Sequence, residues 1–126
     1  MFQTYGLTHL QISVGDLERS VRFYKELFGM NEVRRFPECV MLQTPGAHEI
    51  LTINATSEGK ENVGKMGGVA HFGFRLIEPV EMSKVQDAIA QLGGKPMSEG
   101  GSIEKGRLYA IANDPDGYEV EVFWET

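Results

Sequence analysis

The sequence predicts an α+β fold built from two tandem β-α-β-β-β modules. Three observations predict it. Two stretches alternate with the period of a strand, Gly6-Leu7-Thr8-His9-Leu10-Gln11-Ile12-Ser13-Val14 and Gly68-Val69-Ala70-His71-Phe72-Gly73-Phe74-Arg75. Each carries a histidine three positions after a glycine, and His9 and His71 stand about half a chain apart. Each is followed by a helical pattern and then by short β-prone runs divided by turn signals. A histidine on the polar face of the first strand in both halves suggests a metal site built by duplication.

In the first module, residues 7–14 read as a strand with Leu10, Ile12 and Val14 on one face. Asp16 follows as a helix N-cap, since its carboxylate can accept the free N–H groups of the first turn. The helix is expected to run to about Phe28, with Leu17, Val21, Tyr24, Leu27 and Phe28 as its apolar stripe and Gly29 ending it. Strands are expected near 31–36, 38–43 and 48–54, divided by Pro37 and by Pro45-Gly46. Residues 55–67 are polar and glycine-containing and read as the connection between modules of about 6–54 and 68–124.

The second module repeats the order. Residues 69–76 read as a strand, with Pro79 near the start of a helix. Met82, Val85, Ile89 and Leu92 form the stripe of that helix, which ends at Gly93-Gly94. Strands are expected near 95–98, 107–113 and 118–124. Between the last two lies Asn113-Asp114-Pro115-Asp116-Gly117, a turn in which proline presets one angle and glycine accepts a positive one. Gly100-Gly101 before Ser102 reads as a loop rather than a phosphate cradle.

A chain of 126 residues is expected to be one domain with a real core. The formal net charge is −6 and no basic run occurs, so a nucleic acid partner is not expected. No stretch is apolar for long enough to span a bilayer, and no signal-peptide pattern is seen. With the single cysteine, Cys39, read as a buried or half-buried thiol, a cytoplasmic location is expected.

Each helix must cover the apolar face of its sheet, which leaves the other face to line a concavity. His9, His71 and Glu121 fall on that other face. Two imidazoles and a carboxylate suit a divalent first-row metal with open positions for water, substrate or oxygen. By parity alone Glu119 and Glu125 rival Glu121. Arg75 shares the face of His71 and could meet an anionic substrate. Tyr109 could donate a proton or hydrogen bond, and Phe123 could form an apolar wall.

The chain resembles the vicinal oxygen chelate superfamily, which includes glyoxalase I, extradiol dioxygenases, fosfomycin-resistance enzymes, methylmalonyl-CoA epimerase and bleomycin-binding proteins. The resemblance is carried by the His9 strand with Gly15-Asp16-Leu17-Glu18-Arg19-Ser20-Val21-Arg22-Phe23-Tyr24, by Gly68–Arg75, and by Asp114-Pro115-Asp116-Gly117-Tyr118-Glu119-Val120-Glu121. It implies that the metal-binding glutamate is Glu121, four residues after the glycine of the last motif. It implies a fourth ligand just before the Leu51-Thr52 pair, where this chain has Ile50. Glu49 is one position off and should face the other way, unless a bulge turns it inward. His48 reads as a surface residue.

The resemblance implies a metalloenzyme that holds its substrate through two neighbouring oxygens. Three ligands favour an Fe(II)-dependent, extradiol dioxygenase-like oxygenase. The alternatives are a glyoxalase-type lyase or isomerase using Zn, Ni or Mn, and a non-catalytic small-molecule binding or antibiotic-resistance protein. A homodimer is also implied, and open sheet edges in each module would need cover.

Overall fold

The computed structural model describes residues 1–55, 57, 59–65, 67–97 and 106–126. Its element order is β1 (His9–Ser13), α1 (Leu17–Phe28), β2 (Asn31–Phe36), β3 (Cys39–Gln43) and β4 (Ile50–Asn54), then a short 3-10 turn at Lys60–Asn62. The second half follows with β5 (Phe72–Arg75), α2 (Met82–Gln91), β6 (Lys95–Pro96), β7 (Arg107–Asn113) and β8 (Glu119–Glu125). The chain divides into two compact units, Met1–Val63 and Gly64–Thr126. The division falls inside the connection expected from the sequence.

In the first unit the sheet order is β1-β4-β3-β2. β1 and β4 are parallel, while β3 is antiparallel to both of its neighbours. The α1 helix starts as its sequence requires: Asp16 accepts the N–H of Arg19 at 3.1 Å. It ends at Gly29, whose φ of 67° lets its N–H turn back to the Lys25 carbonyl. The helix covers β3 and β4. Val40, Leu42 and Ile53 are fully buried beneath it, each worth about 1.5–3 kcal/mol over an exposed position. Phe23, absent from the expected stripe, is buried beside Tyr24, the two rings meeting edge to face at 5.0 Å.

β2 is exposed along its whole length and carries an irregularity between Glu32 and Arg34. Arg35 pairs with Glu18 and Glu32, and Lys25 with Glu32. Charge and a bulge on an edge strand both oppose pairing with a further strand.

In the second unit the order is β5-β8-β7-β6, again with a parallel first pair and antiparallel neighbours. The α2 helix covers β6 and β7 and buries Met82, Val85 and Ile89; Ala110 and Ala112 of β7 and Val120 and Val122 of β8 are buried as well. The β7–β8 turn is built by Asp114, whose Oδ1 accepts the N–H groups of Asp116, Gly117 and Tyr118.

Several expected boundaries move. The strand expected at 48–54 starts only at Ile50, because the Glu49 carboxylate accepts the Thr44 N–H at 2.7 Å and closes the preceding turn. The strand expected at 69–76 is Phe72–Arg75, so His71 lies immediately before it. Pro79 precedes α2 rather than opening it; Glu81 is the N-cap residue and makes no side-chain cap. Ser98, at the end of another expected strand, and the Gly100-Gly101-Ser102 loop lie outside the described residues. No helix is long and apolar enough to cross a membrane among the described residues.

Candidate metal centre

The two units repeat one local design at their first and last strands. In the second unit Gly73 of β5 lies opposite Glu121 of β8. His71 stands two residues before Gly73 on the same side of the chain. The His71 Nε2 lies 3.2 Å from the Glu121 Oε2. The carboxylate is the more sheltered of the two side chains, at 17% exposure against 43% for the imidazole. Gly73 makes this approach feasible, because a Cβ there would stand 2.8 Å from the Glu121 carbonyl oxygen.

In the first unit Gln11 of β1 lies opposite Thr52 of β4. His9 again stands two residues earlier, and its Nε2 is 3.1 Å from the Thr52 Oγ1. When the two registers are matched, His9 corresponds to His71 and Thr52 to Glu121. Thr52 therefore supplies the polar group that meets the first histidine. Ile50 shares the face of Thr52 but is the backbone partner of His9 itself. Thr52 is buried, and its hydroxyl is the polar group that meets the ring. Glu49 is engaged with the Thr44 amide, as the parity argument required of a carboxylate on the opposite side.

Each sequence-predicted residue has a definite place within its own unit. His71 and Glu121 are brought together. His9 belongs to the first unit with Thr52. Among the described residues, no three or more His, Cys, Asp or Glu side chains form a metal-holding group. The donor chemistry nevertheless fits a divalent first-row ion: an imidazole nitrogen and a carboxylate oxygen already converge in one unit, and an imidazole beside a neutral hydroxyl in the other. Glu119 pairs with Asn113 at the turn end of β8, and Glu125 with Arg107 at its far end. Of the three glutamates that share this parity, only Glu121 meets a histidine among the described residues.

The same face of the second sheet continues away from Glu121. Tyr109 and Phe123 are directly opposed on β7 and β8, and Arg75 of β5 is the other neighbour of Phe123. Arg75 donates from Nη2 to the Glu125 carbonyl at 3.1 Å, and its Nη1 lies 3.6 Å from the Glu125 carboxylate. The sequence reading missed Arg107, which stacks over the Phe123 ring at 5.9 Å and approaches Glu125 from the opposite side. Parity would have found it, since Arg107 and Tyr109 are two residues apart on one strand.

Residues 6–122 match the family model for the Glyoxalase/Bleomycin resistance protein/Dioxygenase superfamily. A probable lactoylglutathione lyase of Synechocystis is 31% identical over 121 residues, covering 92% of both chains. A trivalent organoarsenical cleaving enzyme of Bacillus sp. MD1 is 28% identical over 123 residues, covering 92% of this chain and 71% of the relative. A solved family enzyme from Burkholderia phytofirmans superposes with a TM-score of 0.76 at 16% identity, covering 95% of this chain and 98% of its own. The match over nearly the whole chain and the paired four-stranded sheets agree: the chain is a member of the glyoxalase/bleomycin resistance protein/dioxygenase superfamily.

Proposed function

We propose that the protein is a metal-dependent enzyme acting on a small molecule with two neighbouring oxygens, and that His9, His71 and Glu121 are its protein ligands. The observation that carries this is the approach of His71 to Glu121, matched in the first unit by His9 and Thr52. A divalent metal held there would supply positive charge to two adjacent substrate oxygens. Thr52 is neutral where the repeat has Glu121, so the centre has one carboxylate. Two histidines and one carboxylate are the donor set of Fe(II) oxygenases, and an extradiol-type ring-opening oxygenase is the first reading. Tyr109 and Phe123 then flank the substrate, with Tyr109 available as a hydrogen-bond or proton donor.

A glyoxalase-type lyase with Zn, Ni or Mn is the second reading. It is favoured by the 31% identity to a protein named probable lactoylglutathione lyase. We further propose a homodimer. Leu7 and Ile77 are exposed and flank β1 and β5, each the outermost strand of its sheet. Burying such residues and covering such edges both favour a second copy.

Protein purified without chelators should contain close to one first-row metal per chain by elemental analysis, and His71→Ala should lose it. Equal metal content in both proteins overturns the assignment. Oxygen uptake with catechols against loss of hemithioacetals then separates the oxygenase from the lyase. Light scattering at micromolar concentration should give twice the chain mass; a monomer refutes the dimer.

A further inference from the structure

Arg75 and Arg107 approach β8 from its two sides and converge on one residue, Glu125. The carboxylate is poorly matched to them. Its oxygens stand 3.6 Å from Arg75 Nη1 and 3.8 Å from Arg107 Nε, beyond good hydrogen-bond distance. The Nε of Arg107 is buried and has no hydrogen-bond acceptor among the described residues. A desolvated guanidinium N–H left without an acceptor is costly, and a better-placed anion would recover that cost. Among the described residues, two guanidinium groups against one carboxylate also leave one positive charge in excess, on a chain whose net charge is −6.

We propose that Arg75 and Arg107 form an anion subsite for the substrate, held in this structure by the chain's own Glu125 carboxylate. The ligand would be an aryl or similarly flat carboxylic acid. Its carboxylate takes the arginines, with the bidentate geometry that guanidinium offers, and displaces Glu125 towards solvent. Its flat body lies along Phe123 and Tyr109, the opposed aromatic pair between Glu125 and Glu121 on the β7–β8 ladder. Strand rise sets the length: Phe123 is about 7 Å and Glu125 about 13 Å along β8 from Glu121. A carboxylate in the subsite therefore leaves the reacting oxygens of the same molecule roughly 7–13 Å away, near His71 and Glu121. This proposal deepens the preceding one and takes from it only that the reacting end lies at those two residues.

The test uses metal-free protein, so that binding is read apart from metal and from turnover. Amide shifts in two-dimensional NMR are followed while 3-phenylpropanoate or its neutral analogue 3-phenylpropanol is titrated in. The acid should bind at least tenfold more tightly than the alcohol and should move Arg75, Arg107, Phe123 and Glu125. Arg75→Gln and Arg107→Gln should each weaken the acid at least fivefold, with Arg107→Lys used should Arg107→Gln fail to fold. Glu125→Gln removes the internal competitor and should tighten the acid severalfold. Equal binding of acid and alcohol, or weaker acid binding in Glu125→Gln, overturns the subsite. The two proposals fail separately: metal bound through His71 with no preference for the acid refutes the subsite alone, and acid bound in a chain that takes no metal refutes the metal centre alone.

Discussion

Asp114 offers the sharpest test of how the last motif holds Glu121 in place. One oxygen, Oδ1, accepts the N–H groups of Asp116 at 2.9 Å and of Gly117 and Tyr118 at 3.0 Å each. The residue is 3% exposed, so water cannot simply replace it. In Asp114→Ala the Gly117 N–H keeps one partner, the Asp114 backbone carbonyl at 3.0 Å. The Tyr118 N–H is buried and loses its side-chain partner, and the Asp116 N–H is partly buried. Hydrogen bonds to a charged acceptor are worth about 1.5–3 kcal/mol each, so one full loss and one partial loss come to about 3–4 kcal/mol. For a chain of this size that lowers Tm by roughly 10–20 °C. Asp114→Asn retains an acceptor oxygen without the charge and should lose about half as much. Urea unfolding followed by Trp124 fluorescence, with calorimetry for Tm, measures both. A loss under about 1 kcal/mol in Asp114→Ala, the level of an ordinary surface change, refutes the reasoning.

Gly64 has a φ of +73°, and a Cβ there would stand 1.9 Å from the backbone oxygen of Asp116. Gly64→Ala should therefore destabilise by more than about 1 kcal/mol, and an unchanged Tm would contradict the close approach. The Glu32 carboxyl is held below its ordinary value by its hydrogen bond from Arg35, against an opposing effect of burial, with Lys25 adding to the lowering. A depressed carboxyl stabilises above its unfolded pKa and loses that contribution as pH falls through the folded value. Glu32→Gln should accordingly lower the urea midpoint slightly at pH 7, and the gap should narrow as pH falls through the folded pKa and shrink in high salt; a gap that widens on acidification refutes the pairing.

Local signals were legible and non-local ones were not. The Asp16 cap, the Gly29 stop and the Pro-Asp-Gly turn are fixed by neighbours in sequence, and each stands where its residues placed it. Parity assigned His9, His71, Arg75, Tyr109, Glu121 and Phe123 to faces, because side chains alternate along any strand. What parity cannot supply is register across strands, which depends on pairing between distant segments. That is why the contact of Thr52 with His9, 43 residues away along the chain, was not legible. The same gap hid Glu125 as the shared partner of Arg75 and Arg107, residues that meet only because β5 and β7 both pair with β8. The role of Glu49 was not legible, since its partner is a backbone amide in a turn.

The two halves solve the same packing problem with opposite choices, and the difference bears on chemistry. Across β5 and β8 the opposed pair is Gly73 and Glu121; across β1 and β4 it is Gln11 and Thr52. In one half the large polar residue is on the last strand and the small one on the first, and in the other half the order is reversed. The fold accommodates both arrangements. The charge is not similar. The second half contributes a carboxylate, while the first contributes only neutral amide and hydroxyl groups. A divalent ion on the proposed ligands would keep a net charge of +1, where two carboxylates would have cancelled it. Such a centre would favour substrate oxygens that are themselves anionic or become so, because these would offset the remaining charge. Arg75 and Arg107 make the same demand at the far end of the face. A substrate that satisfies both ends carries its negative charge at two separated positions joined by a flat apolar body, and a neutral or singly charged analogue should bind more weakly in proportion to the end it leaves unmatched.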